Sequence, residues 1–470
     1  MNSGKGPTQF QFDFTRADRV LWSYGRRTGE QEAPGTPAGF FVDDVEIADH
    51  FSHTLDAVMA DLVDIAVAVH MADRLAVRTV ETASTWSRRI EATICVRNPG
   101  FWMNALLKER VQNLLNFLTE DTWILSFVLR QDSLRRSELQ THLPLPKAGG
   151  DLEVSLFSGG IDSFAGNASE VTECQKHFIF VSASPNAQQQ FRQQQQVRLV
   201  RQELGGIISH VCVPYGMYRG DEYAQDATRR TRGFLFLVLG GVTALSAGSS
   251  SLFLYENGLG AINLPYDESQ IGTDNARAVH PKTLRQTGEL LTLVGKRQFS
   301  ILNRSIYQTK AEMLRHPGIA RVPNGIPLTF SCDGFPVRAK GHAQCGFCTS
   351  CLLRRYSLEA AGLASFDSEG YLQDWKAGFF KPTAHHLRGL RAMDWQVLRL
   401  KKCFSQYDPW HALCFEFPEL RTAVSSLLPI DREGRNQTEV RITRMLRQHT
   451  ADWPNFSALR LLNATGGQVA

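Results

Sequence analysis

This 470-residue sequence has no long unbroken apolar run, no large excess of one charge and no internal repeat. Each absence narrows the function. The longest apolar stretch, Gly233 to Gly248, falls short of bilayer-spanning length and contains four glycines, so it reads as a buried helix and no membrane partner is expected. The 51 basic and 47 acidic residues leave a net charge of +4. That is too slight over this length to argue for nucleic-acid binding. Met1 to Thr8 is short, polar and glycine-rich, unlike a secretory signal, and the expected location is the cytoplasm. Of nine cysteines, four crowd into Cys332–Cys351 and five are scattered, and with no secretory signal expected they do not read as a disulfide framework. A reducing compartment with one metal site is the simpler expectation. The hydrophobic fraction, 43%, is ordinary for a soluble globular protein, and the length admits two or three domains.

Three regions are expected. Residues 1–150 read as an α+β domain. Leu55, Val58, Met59, Leu62, Ile65, Ala66 and Val69 keep helical spacing, as do Leu106, Leu107, Val111, Leu114, Leu115 and Leu118. Ile90, Ala92, Ile94 and Val96 alternate with more polar residues as a half-buried strand does, and Trp123, Leu125, Phe127 and Leu129 share a strand face. Pro144, Pro146, Gly149 and Gly150 mark a linker. Over residues 151–365, short apolar strands (Leu152–Phe157, Phe178–Ala183, Ile207–Val213 and Ser251–Tyr255) alternate with helices. This predicts an α/β fold with a parallel sheet that binds ligands at the carboxyl ends of its strands. Residues 366–470 read as helical. The glutamine-rich segment Gln188–Gln196 reads as a solvated helix or loop without a role.

The first predicted strand runs into Ser158-Gly159-Gly160-Ile161-Asp162-Ser163, with a helix expected near Phe164. Paired glycines let the backbone turn sharply, and N–H groups at the positive end of the following helix suit an oxyanion such as pyrophosphate. Ser158 and Ser163 add neutral donors. Asp162 would repel a bare phosphate, so it faces a Mg²⁺ ion or orients the loop. No Gly-Lys-Ser/Thr follows, which argues against a Walker loop. Further on, Cys332, Cys345, Cys348 and Cys351 form C-x12-C-x2-C-x2-C. Four thiolates at this spacing suit a closed, structural Zn²⁺ site. An iron–sulfur cluster is the rival, because the C-x2-C-x2-C run also resembles ferredoxin spacing.

The hexapeptide resembles the SGGxDS signature of the PP-loop ATP pyrophosphatases, which have a HUP-like fold, split ATP between its α and β phosphates and adenylate a carboxylate or carbonyl oxygen. Cys345-Gly346-Phe347-Cys348-Thr349-Ser350-Cys351-Leu352-Leu353-Arg354 is similar to the tail of QueC, the 7-cyano-7-deazaguanine synthase, and Thr309-Lys310-Ala311-Glu312-Met313 resembles that family's TKAE segment. The resemblance covers about Asp151 to Gly362. The additional N- and C-terminal regions make the layout more similar to QatC and related QueC-like proteins of bacterial antiviral defence islands. The resemblance implies ATP, Mg²⁺ and Zn²⁺ as cofactors, a deazaguanine-like small molecule as substrate, and a protein partner or substrate from the same operon.

Further candidates follow. Among Arg229, Arg230 and Arg232, ahead of the apolar helix, an arginine resembles the basic position that faces ATP or substrate in that family. A solvated cap is the plainer reading, although cations oppose the dipole there. Glu256 ends a strand, where its carboxylate could accept from a guanine-like edge, or it is an ordinary surface glutamate. Asn257, Asn263 and the Arg277–His280 segment are candidates for the same site. Lys310 could neutralise phosphate charge, and Ser182 stands where such folds meet adenosine. The expected activity is adenylation of a carboxylate, with 7-carboxy-7-deazaguanine implied, followed by transfer to an amine. Free-base 7-cyano-7-deazaguanine synthesis, a tRNA-modifying PP-loop activity and a non-catalytic nucleotide-binding scaffold are the alternatives.

Overall fold

The computed structural model describes residues 8–17, 20–23, 26–27, 37–51, 54–78, 87–131, 136–138, 151–219, 226, 230–266, 277–334, 344–368, 370–375, 382–431 and 434–460. The expected linker Pro144–Gly150 and Arg229 lie outside the described residues. Among the described residues eleven strands pair into one sheet: β1 Thr8–Ala17, β2 Val20–Ser23, β3 Arg26–Arg27, β4 Ala38–Val42, β5 Arg88–Val96, β6 Thr122–Leu129, β7 Leu152–Leu156, β8 His177–Ser184, β9 Ile207–Tyr218, β10 Ser251–Leu254 and β11 Ser300–Asn303. The main path runs β11-β10-β7-β8-β9-β4-β2-β1-β5-β6, with β3 beside β1.

From β11 to β9 every pairing is parallel. β7 and β8 are continuous apolar runs buried along most of their length, as strands covered by helices on both faces must be. β7 is flanked by β8, next in the chain, and by β10, so strand order reverses between β7 and β10. A crevice opens at the carboxyl end of such a reversal.

β9 joins the halves. Its residues 207–214 pair with β8, and Tyr215 to Tyr218 turn to β4, antiparallel. The sheet therefore continues from the 151–365 region into the first 150 residues, and one apolar core runs beneath both, from Phe12 and Ile65 to Val154 and Leu239. Within that core, helix Ala57–Leu75 is buried on nearly all sides and packs against Arg230–Ser246, the helix that holds the long apolar stretch.

The C-terminal region is helical: Ala384–Phe404, Pro409–Glu416, Glu419–Asp431 and Arg435–Asp452. Leu387, Leu390, Met393, Val397 and Leu400 form the buried stripe of the first. Each fully buried leucine contributes about 1.5–3 kcal/mol. These helices dock through Tyr356 against Trp453 and through the Gln396 amide donating to the Leu264 and Pro265 carbonyls. Among the described residues no helix is long and apolar enough to cross a membrane.

Candidate active site at the glycine loop

The helix after β7 starts at Ile161, three residues before the expected Phe164, with Gly160 as its N-cap. Glycine has no side chain to cap the first turn, so no N-cap side chain accepts from its N–H groups, while the Gly160 N–H itself donates to Ser158 Oγ at 3.2 Å. Gly159 adopts φ +84°, and a Cβ there would lie 2.9 Å from the Phe330 ring. Both facts require glycine. Ser158 and Ser163 face each other, Oγ to Oγ, at 3.1 Å, and Ser163 Oγ also donates to the Gly160 carbonyl.

Glutamines hold this loop from behind. The Gln193 side-chain amide is satisfied inside the protein: Nε2 donates to the Ser158 carbonyl at 2.9 Å, and Oε1 accepts from Ser184 Oγ at 2.5 Å. Gln196 Nε2 donates to the Gly159 and Leu328 carbonyls. Both are fully buried on helix Ala187–Leu204. The expectation of a solvated glutamine segment is corrected at these positions: the amides satisfy loop carbonyls that a bulky apolar neighbour would leave unpaired. In front, Phe330 donates its N–H to the Gly159 carbonyl. Its segment is clamped by Arg354, which is fully buried and donates to Thr329 Oγ1, the Ile326 carbonyl and Asp367.

A cavity of about 350 Å³ opens beside the loop at the strand-order reversal. Ser158, Ser163, Ser182, Arg232, Glu256 and Asp333 supply its polar lining, and Phe157, Phe236, Tyr255 and Val279 much of its apolar wall. Arg232 is half-buried and has no carboxylate partner among the described residues; its guanidinium lies 5.8 Å from the Phe236 ring centre. Two residues earlier, Arg230 is spent on the fold, donating to the Thr119 carbonyl and lying near Glu120. Ser182 lines the cavity, but its hydroxyl donates to the Phe157 carbonyl at 2.6 Å and meets His210 Nε2 at 2.8 Å. Burial pushes the His210 pKa down to about 4, so this histidine is neutral at pH 7.

Behind the loop, Asp162 meets Lys310 Nζ at 3.2 Å and accepts from Asn257 Nδ2 at 2.7 Å. Burial opposes its ionisation, but Lys310 and hydrogen bonds from Glu256 and Asn257 hold its carboxyl below the usual range. Burial and the Asp162 charge push the Glu256 carboxyl well above its usual range. The pair therefore favours the charge on Asp162 and the proton on Glu256. These two acids are engaged with each other, and Asp162 orients the loop helix.

The other candidates divide. Asn257 is fully buried, caps helix Gly258–Ile262 and gives its amide to Asp162 and Glu256, so it positions the two acids. Asn263 is the left-handed C-cap of that helix and does not line the cavity. Arg277 turns to the first region, where it donates to the Phe117 carbonyl and pairs with Glu120. His280 caps helix Pro281–Gly295. Between them, Ala278 and Val279 line the cavity.

Cys332, Cys345, Cys348 and Cys351 gather with their sulfurs within 4.8 Å of one another. Backbone N–H groups of Gly334, Cys345, Cys348 and Cys351 point at these sulfurs at 3.3–3.4 Å, which favours thiolates. The cluster could hold a metal ion such as zinc, with these four cysteines as the ligand set found among the described residues.

Sequence reasoning missed Gln193, Gln196, Phe330, His210 and Asp333. Only the glutamines carried a signal, through their spacing of three on one helix face. No protein-family model matches the chain, and no curated protein matches it.

Proposed function

We propose that this chain is a QueC-like PP-loop enzyme that adenylates a carboxylate with ATP and passes the acyl group to an amine. One observation carries the reading: a helix N-terminus without a side-chain cap and an arginine with no carboxylate partner among the described residues share one cavity at the strand-order reversal. Both features attract anions, and a half-buried guanidinium without a carboxylate partner among the described residues is free to receive an anionic group.

In this reading MgATP enters as substrate with its β and γ phosphates on the loop, and Mg²⁺ travels on those phosphates, since Asp162 is occupied by Lys310 and Asn257. The acid, 7-carboxy-7-deazaguanine by resemblance, packs against the Tyr255 and Phe236 wall with Arg232 at its carboxylate. A carboxylate oxygen attacks the α phosphorus and the α–β bridge breaks. Loop N–H groups and the Ser158 and Ser163 hydroxyls take up the charge that develops on pyrophosphate. An amine nitrogen then attacks the acyl carbon, AMP leaves, and the nitrogen's proton passes to water. Holding both reactants in one crevice supplies much of the rate. Zn²⁺ on the four cysteines would tie the segment around them together and take no part in the steps. The layout resembling defence-island proteins makes a protein amine the favoured acceptor.

The test is carboxylate-dependent exchange of labelled pyrophosphate into ATP by the purified chain. Exchange with the deazaguanine acid, reduced about 10²-fold in Ser163→Ala, supports the reading. An inert wild type, with or without an added amine, would sink it.

A further inference from the structure

The polar lining of the cavity is not uniform. Loop N–H groups and Arg232 make one part attractive to anions. Asp333 puts a carboxylate on the same lining. Unlike Glu256, which shares the Asn257 amide with Asp162, Asp333 is exposed and has no cationic partner among the described residues. It is also held in place: Ser350 Oγ donates to Oδ1 at 2.7 Å from the first turn of helix Thr349–Ala360. Cys332 and Gly334 on either side are fixed by the N–H···S contact between Gly334 and the Cys332 sulfur.

A carboxylate facing a cavity that receives phosphates is repulsive unless a cation comes between them. A divalent metal held by protein groups alone collects several oxygens. Asp333 has one oxygen engaged by Ser350, and the cavity's other acid is occupied inward. A monovalent ammonium group, content with one or two acceptors, fits better.

We propose that Asp333 is the binding residue for the amine co-substrate, a primary amine that arrives in its ammonium form at the cavity lining. The inference deepens the adenylation reading and rests on it for the amine's fate. Asp333 gathers the ammonium; after the nitrogen loses one proton to water it attacks the acyl carbon, the new C–N bond forms, the acyl–phosphate C–O bond breaks to release AMP, and the nitrogen's second proton passes to water to leave the neutral amide. Because Asp333 is exposed, the amine can belong to a larger molecule whose remainder stays outside.

The experiment compares wild type with Asp333→Asn, which keeps the acceptor for Ser350, using ammonium chloride, glycinamide and Nα-acetyl-lysine amide. Product formation is measured against amine concentration, alongside the shift in thermal midpoint caused by each amine alone. The expected result is a KM for amine at least tenfold higher in Asp333→Asn, with kcat changed by less than threefold, and loss of the midpoint shift. The ranking of the three probes separates free ammonia from α-amino and side-chain sources. Unchanged amine KM and midpoint shift overturn the proposal, as does a raised Mg²⁺ requirement in place of a raised amine KM, which would make Asp333 a metal ligand. If wild type performs no pyrophosphate exchange, the adenylation reading fails; an Asp333-dependent midpoint shift would still uphold the cation subsite, and its absence would remove that too.

Discussion

The first 150 residues and the cavity region treat buried charge in opposite ways. In the first, Arg88 is fully buried, and its guanidinium is consumed by Asp73, Asp121 and the carbonyls of Asp73 and Ala76. Arg97 bridges Asp61, Asp64 and Glu138 likewise. At the cavity, Arg232 and Asp333 have no ionic partner among the described residues, and in the segment next to Asp333 four cysteines, three of them buried, converge where a metal ion could bind. Charges closed on each other stabilise a fold; charges left open await something from outside. Arg230 and Arg232 show the contrast within one turn of helix.

The largest effect that tests this contrast is metal removal. A strong chelator, or Cys348→Ser, is expected to abolish zinc binding near one equivalent and to expose the segment around Cys345–Cys351 to protease, while the helix Ala57–Leu75 core stays protected. Metal analysis with limited proteolysis reads both, and a variant that stays protease-resistant without metal breaks the assignment. Next is Arg88→Leu, which removes the guanidinium shared by Asp73 and Asp121 and leaves Arg78 as the nearby cation. It should cost about 3–5 kcal/mol in chemical unfolding. Arg232→Ala should change stability by only about 0.5 kcal/mol, yet weaken ATP or acid binding roughly 10–100-fold, as loss of a charged hydrogen-bond partner does. Equal stability losses in the two arginine variants would erase the distinction between the regions.

The smallest effect concerns Glu256 and pH. Its raised carboxyl keeps a proton in the folded state that the unfolded chain gives up above about pH 4.5. Stability therefore erodes as pH rises from there toward the folded value. Asp162, shifted downward, contributes its change below its ordinary value of 3.8, outside that window. Glu256→Gln should melt close to wild type at pH 5 and above it at pH 8. A gap that does not widen with pH would mean that Glu256 is ionised.

Some of this was legible from residues alone. Ser158–Ser163 declares itself because a strand, two glycines and a helix follow one another locally, and the cysteine spacing is likewise local. The apolar runs of β7 and β8 betray strands covered on both faces. What escaped depends on distant partners. Gln193 and Gln196 look solvent-loving until loop carbonyls arrive from more than thirty residues upstream. Arg230 and Arg232 are alike in the sequence, and only the position of the Thr119 carbonyl separates them. Glu256 reads as a charged acceptor until Asp162 is brought against it by the pairing of β10 with β7. The continuity of the sheet past residue 150 rests on four residue pairs between β4 and β9.

Those four pairs also bear on the order of folding. β8 and β9 are near neighbours in the chain, whereas Gly39 must find Tyr218 across more than a third of it. Contacts closed over so long a loop form late and slow the search. The parallel sheet can therefore assemble while Tyr215–Tyr218 still hangs as an unpaired edge, open to another chain until the N-terminal strands arrive.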